Sequence, residues 1–510
     1  MKFPHATEYE RSFYSILEIN EPCNLKERPY RARKEGLVRK GWKAGNGFAI
    51  MEAMWLPIMN SKSGSPGRTV MKNQPQPTLQ EALYLRKIKK PPTLIYWVLA
   101  LIWKLLFFPK YHVHLHYQIP KSKIKGPFIV VSNHASRVDY LYTGIAFLPH
   151  RLNYVAGYNE FFRSHLAGIF RLLQVIPKKN FTPEIYSVKE IARVLRSGGN
   201  VIVFPEGMSS ISGSNQPSAL GTGKLLKHFG LPVYMTLISG GYLTNTKYCL
   251  DDRPGRVDVE ISQLFTPEDL SEKTDEEIQR AVDVAIRHDD YRWNKTARVA
   301  FQGHGELAKN LHHLCYWCPK CHSLFTMKGE GDVIRCTHCG NGARLNEYYD
   351  LIPLDATCVI PESPAAWCDM ERKLAWRDIQ NPNFEIREKV RLGTLPAYEL
   401  VPDKATSVVS GEGELRFNKD GLFFEGTNEG KPLSLHMPTD LLPTFGMCTD
   451  VSFFTTYIDG IYYEFFPEHE VTERWLHVVE EMHRKNGGKW KNFPWADTYQ
   501  ESGSAEKTLR

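Results

Sequence analysis

The groups in this sequence best placed to move a proton are a histidine, an aspartate five residues later and a glutamate about 70 residues further on: His134, Asp139 and Glu206. His134 follows the apolar run Phe128-Ile129-Val130-Val131, and Glu206 closes a second run, Val201-Ile202-Val203-Phe204. Both polar sets therefore stand where a buried strand gives way to a loop or helix, the edge at which an α/β sheet presents its reactive groups. An imidazole titrates near neutral pH and can take a proton from an alcohol, and a carboxylate on its other nitrogen fixes the tautomer and stabilises the imidazolium. Positions five apart differ by about 140° on a helix, so His134 and Asp139 meet only if His134 lies ahead of the first turn. Ser136 is badly placed to act as a nucleophile. Ser136-x-x-Asp139 also reads as a helix-capping box, so Asp139 is expected to cap as well as orient.

The elements that must hold these groups alternate between strands and helices from Tyr117 to about Phe265. Strands are predicted at 128–133, 201–204, 233–237 and 257–261, with helices over 138–148 and 188–196. The fold class expected is a layered α/β domain with a central sheet.

Asn133-His134-x-Ser136-x-x-Asp139 together with Phe204-Pro205-Glu206-Gly207 resembles the glycerolipid acyltransferase family, which includes the lysophosphatidate acyltransferases. Glu160-Phe161-Phe162 with Gly168 through Pro177, and Gly223 with Gly230 to Val233, are similar to the family's lesser blocks. The resemblance covers about 120–265. It implies an enzyme that moves a fatty acyl group from an acyl thioester, acyl-CoA or acyl-carrier protein, to the free hydroxyl of a lysophospholipid, with no catalytic cofactor. His134 and Asp139 would be catalytic. Asn133, Ser136, Arg137, Lys178, Lys179, Phe204, Pro205, Glu206 and Gly207 would bind substrate, Glu206 holding the acyl acceptor. Two departures bear on that acceptor. Family members commonly continue the glutamate-glycine pair with Thr-Arg-Ser, whereas this chain has Met208-Ser209-Ser210. Pro177-Lys178-Lys179-Asn180 stands where a second arginine is usual. Lysophosphatidate is the expected acceptor, its phosphate neutralised by Lys178, Lys179 or the edge of Arg137; a lyso-aminolipid is the alternative. Gly221-Thr222-Gly223-Lys224 fails the nucleotide-loop pattern, because Ser218 and Leu225 stand at its fixed positions.

The strongest motif by spacing lies outside that block. Cys318-Pro-Lys-Cys321 and Cys336-Thr-His-Cys339 are two CxxC knuckles separated by fourteen residues, the pattern that brings four thiolates to one tetrahedral structural Zn²⁺. Cys315, His313, His322 and His338 are possible substitutes. Tyr316, Trp317 and Arg335 leave a nucleic-acid-binding ribbon open, although nucleic acid is not the expected partner. A non-enzymatic zinc-ribbon adaptor on a degenerate catalytic domain is the competing reading. Further on, Glu414–Phe417 and Leu422–Phe424 flank Asp420-Gly421. Val451–Ile458 meets Ile461–Phe466 across Asp459-Gly460, a hairpin signal. A closing helix places Trp475, Val478, Val479 and Met482 on one face, which suggests a pleckstrin-homology-like unit.

Charge and hydropathy complete the organisation. Residues 1–90 hold 17 Lys/Arg against 8 Glu and no Asp, so their net of +9 exceeds the +7 of the whole 510-residue chain. That bias suits an anionic surface. No apolar signal-peptide core follows Met1, and Met71 is an alternative start. Arg86-Lys87-Ile88-Lys89-Lys90 leads into the apolar run Thr93–Phe108, closed by Pro109. Sixteen helical residues span about 24 Å, short of the ~30 Å hydrocarbon core. A peripheral or monotopic helix on the cytoplasmic face of a membrane is expected, with Trp97, Trp103 and Phe107 among its lipid-facing residues. The free thiols suit a reducing compartment. The domain plan is thus a basic extension over 1–70, a membrane-associating region over 71–117, the acyltransferase domain over 118–265 and a helical segment over 266–312. The zinc ribbon follows over 313–345, then a connector over 346–394, a β-rich domain over 395–485 and a tail over 486–510.

Overall fold

The computed structural model describes residues 77–402 and 404–488, so the expectations for 1–70 and for the tail beyond 488 lie outside the described residues. The apolar runs of the catalytic half become a seven-stranded sheet. Its strands are β1 (Val113–Tyr117), β2 (Ile129–Ser132), β3 (Leu152–Gly157), β4 (Ile176–Lys178), β5 (Asn200–Val203), β6 (Val233–Ser239) and β7 (Val257–Phe265), in the order β1-β7-β6-β2-β5-β3-β4. All neighbours run parallel except β6 and β7. All four residues of β2 are buried, as a strand covered on both faces must be. Ile129 and Val131 share a core with Ile191, Val194 and Leu195 of the helix Ile185–Arg196 and with Ile278 and Val282 of the helix Asp275–Ala285. The last helix opens with the capping box Thr274–Glu277 and packs on this core. β1, β3 and β4 have no counterpart among the predicted strands.

Thr93–Lys110 is one continuous helix, about 27 Å long, in which Pro109 lies inside the last turn rather than ending it. By length and composition it could cross a membrane. Tyr96, Leu99 and Ala100 are buried against the catalytic domain, whereas Leu94, Trp97, Val98, Leu101, Leu105 and Leu106 are exposed. Trp103 and Phe107 are half-buried, Trp103 against Tyr140 of the domain and Phe107 against Tyr111 at the helix's own C-terminus. The basic run before it is also docked: the Ile88 N–H donates to Glu190 Oε2 at 2.7 Å, and Lys90 Nζ donates to the Ser197 carbonyl at 3.0 Å.

Four antiparallel strands, β8 (Met327–Glu330), β9 (Val333–Cys336), β10 (Gly342–Leu345) and β11 (Leu351–Pro353), form the ribbon in the order β11-β10-β9-β8. A helix, Pro364–Asp378, leads to a second seven-stranded sheet. This comprises β12 (Glu385–Thr394), β13 (Val408–Asn418), β14 (Gly421–Asn428), β15 (Lys431–Met437), β16 (Gly446–Met447), β17 (Phe454–Ile458) and β18 (Ile461–Pro467), in the order β15-β14-β13-β12-β18-β17-β16. A four-stranded meander, β12–β15, and a three-stranded one, β16–β18, are joined where β12 pairs with β18, and the helix Thr472–Lys485 follows them. Asp459 and Gly460 both have positive φ, 51° and 77°, as a two-residue hairpin loop requires. This half is not a separate module. One core runs from Tyr242 and Tyr291 through Cys336 of the ribbon to Phe417, Phe454 and Trp475. Arg372 and Glu480, 2.6 Å apart, tie the two late helices together.

The helix Thr222–Phe229 approaches Asp275–Ala285 so closely that a Cβ on Gly223 would stand 2.2 Å from the Asp275 carbonyl oxygen. Gly223→Ala is therefore expected to cost about 1–3 kcal/mol, the usual penalty of an overpacked contact, read as a lower urea midpoint. An unchanged midpoint would contradict the helix contact.

Candidate functional site

Three neighbouring strands hold the histidine. At the end of β2 the Asn133 side chain donates to the Ile238 carbonyl at 2.9 Å and accepts the Ile238 N–H at 2.8 Å, pinning the strand to β6. The chain then leaves the sheet without helical geometry until Asp139, where a helix runs to Ala146. In this turn Asp139 Oδ2 lies 3.0 Å from His134 Nδ1 and 2.8 Å from the Ser136 N–H, and Oδ1 accepts from Ser136 Oγ at 2.6 Å. A carboxylate only accepts, so this bond places the proton on Nδ1 and leaves Nε2 with a free lone pair. The helix begins at Asp139 itself, with Val138 as its N-cap and no side-chain cap bond, so the expected capping box does not form; the buried carboxylate orients the histidine and holds the turn through Ser136. Phe204, at the end of β5, lies against the imidazole with ring centroids 4.5 Å apart.

From the same turn, Glu206 Oε1 accepts the His134 N–H and Oε2 accepts the Gln216 N–H, each at 2.6 Å. Burial pushes the Glu206 carboxyl up to about 8, against the pull of these two N–H groups. With 1% exposure and both oxygens engaged, Glu206 braces the histidine loop. Asn133 and Ser136 likewise place their polar groups on Ile238 and Asp139. Pro205 is buried, with its carbonyl accepting from Ala219. Gly207 has φ +76°, and a Cβ there would meet the Phe181 ring at 2.9 Å, so glycine is required.

The two lysines expected at the phosphate are placed elsewhere. Lys179 Nζ donates to the Gly460 carbonyl at 2.7 Å and lies over the Tyr158 and Tyr457 rings. It fastens the β17–β18 hairpin to the catalytic domain. Burial pushes the Lys178 ammonium down, with Glu184 pulling it back. Neither lines the cavity of about 330 Å³ that opens beside Gly207, whose walls include Met208, Leu250, Arg163, Met447 and Tyr462. Arg137 Nη2 donates to the Leu250 carbonyl and to Asp252 Oδ1, both at 2.7 Å, while its Nη1 is buried without a partner. Asp252 also accepts from Lys110 at 2.5 Å and Tyr111 at 2.8 Å, which joins the end of the apolar helix to the histidine loop. Asp252, Leu250 and the buried Lys247 follow no motif and were not foreseen; a lone lysine in a polar loop is the only sequence signal near them.

The four knuckle cysteines converge as their spacing implies. Cys318 and Cys339 Sγ are 3.7 Å apart, as are Cys321 and Cys336, and all four sulfurs lie within 4.8 Å of one another. A tetrahedron with Zn–S near 2.3 Å has edges of about 3.8 Å, so the donor set fits Zn²⁺. It is complete without Cys315, His313, His322 or His338. Four thiolates leave no open position, and the site is structural in design.

Residues 110–239 match the family model described as Acyltransferase. Residues 312–344 match the zinc-ribbon model described as the 7 kDa subunit of DNA-directed RNA polymerase. No curated protein matches the chain. Among solved structures, the chain is similar to the crystal structure of the 1-acyl-sn-glycerophosphate (LPA) acyltransferase PlsC from Thermotoga maritima. The identity is 22% and the TM-score 0.33, with 38% of this chain and 76% of that one covered.

The purified protein is expected to carry about one zinc per chain by atomic absorption, and Cys318→Ser to lose it. A folded wild-type protein free of metal would refute the ribbon assignment.

Proposed function

Residues 110–239 are an acyltransferase domain, and from that premise we propose a membrane-surface O-acyltransferase. It moves a fatty acyl group from acyl-CoA or acyl-carrier protein to the free hydroxyl of a lysophospholipid, foremost 1-acyl-glycerol-3-phosphate, giving phosphatidic acid. The observation that carries this reading is the His134–Asp139 contact at 3.0 Å, made outside helical geometry and braced by Glu206. His134 Nε2 takes the acceptor's hydroxyl proton as its oxygen bonds to the thioester carbonyl carbon. Asp139 stabilises the imidazolium so formed. When the tetrahedral intermediate collapses, the C–S bond breaks, the thiolate takes the proton from Nε2, and the ester is released. Every proton is returned, and no cofactor or enzyme nucleophile enters.

The membrane part of the proposal rests on the helix Thr93–Lys110. The Tyr96 hydroxyl lies 3.3 Å from that of Tyr154, Trp97 Nε1 donates to the Pro149 carbonyl, and Trp103 packs on Tyr140. A helix fastened along its flank to an α/β domain, with an outer face of leucines, suits an interfacial placement. This favours a monotopic enzyme on the cytoplasmic leaflet, where the thioester donor and a reducing environment for the thiols are both found.

His134→Ala is expected to lower turnover about 10²–10⁴-fold, the usual contribution of a positioned base, with zinc content and circular dichroism unchanged. Near-normal thiol release would remove His134 from the mechanism. Leu101→Glu with Leu105→Glu should weaken binding to anionic lipid vesicles about 100-fold or more, since each buried leucine contributes roughly 1.5–3 kcal/mol. Retained binding would move the membrane contact elsewhere.

A further inference from the structure

The outer edge of the catalytic sheet carries a side-chain cluster that acyl transfer does not use. β1, the edge strand, reads Val113-His114-Leu115-His116-Tyr117. Residues two apart on a strand share a face, so the two imidazoles stand side by side. β1 pairs in parallel with β7, and in that register His114 lies opposite Asp258 and His116 opposite Glu260. The other face of β7 belongs to the core, with Val257, Val259 and Ile261 fully buried. Two histidines and two carboxylates therefore share one solvent-facing strip across two strands.

His114 Nδ1 lies 3.7 Å and His116 Nε2 3.4 Å from the same oxygen, Asp258 Oδ1, and the three donor atoms all lie within 4.8 Å of one another. A tetrahedral ion with ligands at about 2.0–2.1 Å has edges of about 3.3–3.4 Å. The His116–Asp258 separation is already such an edge. The His114 side chain, 57% exposed, has room to close the other two. Arg256 Nε donates to Asp258 Oδ2 at 3.2 Å, which holds the carboxylate with Oδ1 toward the rings. Arg256 offsets only one of the two carboxylates, so these side chains keep a net negative charge for a cation to neutralise.

A second histidine–carboxylate cluster, His312, His313 and Glu470, is built differently. There the Gly329 N–H donates to His312 Nδ1 at 3.1 Å, which places the ring proton on Nε2, the atom 3.3 Å from Glu470. Lys328 Nζ holds the same carboxylate at 3.1 Å. An N–H and an ammonium aimed at the shared oxygen oppose a cation. On the β1–β7 strip no backbone group fixes the tautomer of either ring among the described residues, so each can turn a lone pair to the common point.

We propose that His114, His116 and Asp258 bind a borderline divalent cation, foremost Zn²⁺, at a second metal site separate from the four cysteines. Imidazole nitrogen combined with one carboxylate oxygen suits zinc, whereas magnesium and calcium take shells of oxygen alone. Three protein ligands leave a coordination position to water, so this ion is more exchangeable than one enclosed by four thiolates. It cross-links an edge strand paired on one side only to its neighbour, and that strand is the one into which the helix Thr93–Lys110 runs.

The test adds Co²⁺ to the full-length protein after loosely held metal is removed on a chelating resin that leaves the cysteine-bound zinc in place. One further Co²⁺ per chain is expected to bind, with the visible bands of nitrogen and oxygen ligation. The near-ultraviolet thiolate-to-cobalt band, the mark of exchange at the cysteines, should be absent, and added Zn²⁺ should displace the cobalt. His114→Ala, His116→Ala and Asp258→Asn should each weaken binding by at least about 10- to 100-fold, since even groups behind the ligands contribute that much. His312→Ala should leave it unchanged. Both histidines of β1 are exposed, so their variants remove ligands without disturbing the core. No uptake beyond the cysteine site would overturn the proposal. Uptake that survives His114→Ala with His116→Ala, or that falls equally with His312→Ala, would show adventitious binding by scattered imidazoles and overturn it as well.

Discussion

The site depends on one carboxylate whose two oxygens are spent on backbone. Glu206, at the end of β5, accepts the N–H of His134 and the N–H of Gln216. It therefore locks the histidine loop to the segment that walls its other side. Asn133 adds a lateral pin to β6, so β5, β2 and β6 together set where residue 134 leaves the sheet. Each buried N–H left without its acceptor would cost roughly 1–3 kcal/mol. That is comparable to the 2.7–5.4 kcal/mol that a 10²–10⁴-fold catalytic contribution represents. The brace is thus strong enough to protect the geometry it serves.

What could be read from the sequence was what local spacing controls. His134 and Asp139 lie five residues apart at a strand end, and the pair forms within a single turn. Two CxxC knuckles need only short turns to converge. The strands β2, β5, β6 and β7 announced themselves as apolar runs. β1 did not, because it alternates Val113, His114, Leu115, His116 with the histidines exposed on an edge. β4 is three residues long and contains a proline. The contacts of Glu206, Asn133, Ser136 and Lys179 were not legible for a different reason. Residue type shows that a group can bind a ligand, but not that a backbone N–H or carbonyl has already claimed it. Lys179 is bonded to a carbonyl 281 residues away and Lys247 to one 200 residues away, separations at which no motif carries information.

The apolar helix illustrates the same limit in another form. Its hydropathy is nearly uniform, so composition alone leaves the outward-facing and domain-facing sides indistinguishable. The tyrosine and tryptophan hydroxyl and indole groups decide it: Tyr96 and Trp97 find hydrogen-bond partners on the catalytic domain, as amphipathic aromatics at a boundary do. Leu94, Leu101, Leu105 and Leu106 have no such partners and turn outward, while Leu99 is buried against the domain. At its far end Lys110 and Tyr111 reach Asp252, which also holds Arg137. The surface helix and the histidine loop are thereby fixed to one carboxylate, and displacement of either is felt by the other.

The zinc ribbon and the β-rich half stand outside the chemistry but not outside the site. Met447, Tyr462 and Glu464 wall the same cavity as Gly207 and Met208, and Val401 adds main-chain bonds to Phe162 and Ser164. The segment that carries those walls is positioned by a core shared with the ribbon and the two late helices. In that core the cysteines of β9 and its neighbouring turns are the covalent ends of any metal link. A ribbon of four short strands buries little apolar area of its own, and metal ligation is the ordinary way for so small a unit to hold its shape. Its rigidity is transmitted through Trp367, whose indole donates to the Trp317 carbonyl at 2.8 Å, to the helices that carry the β-rich half. The ribbon is therefore coupled to the cavity beside Gly207 mechanically, through packing.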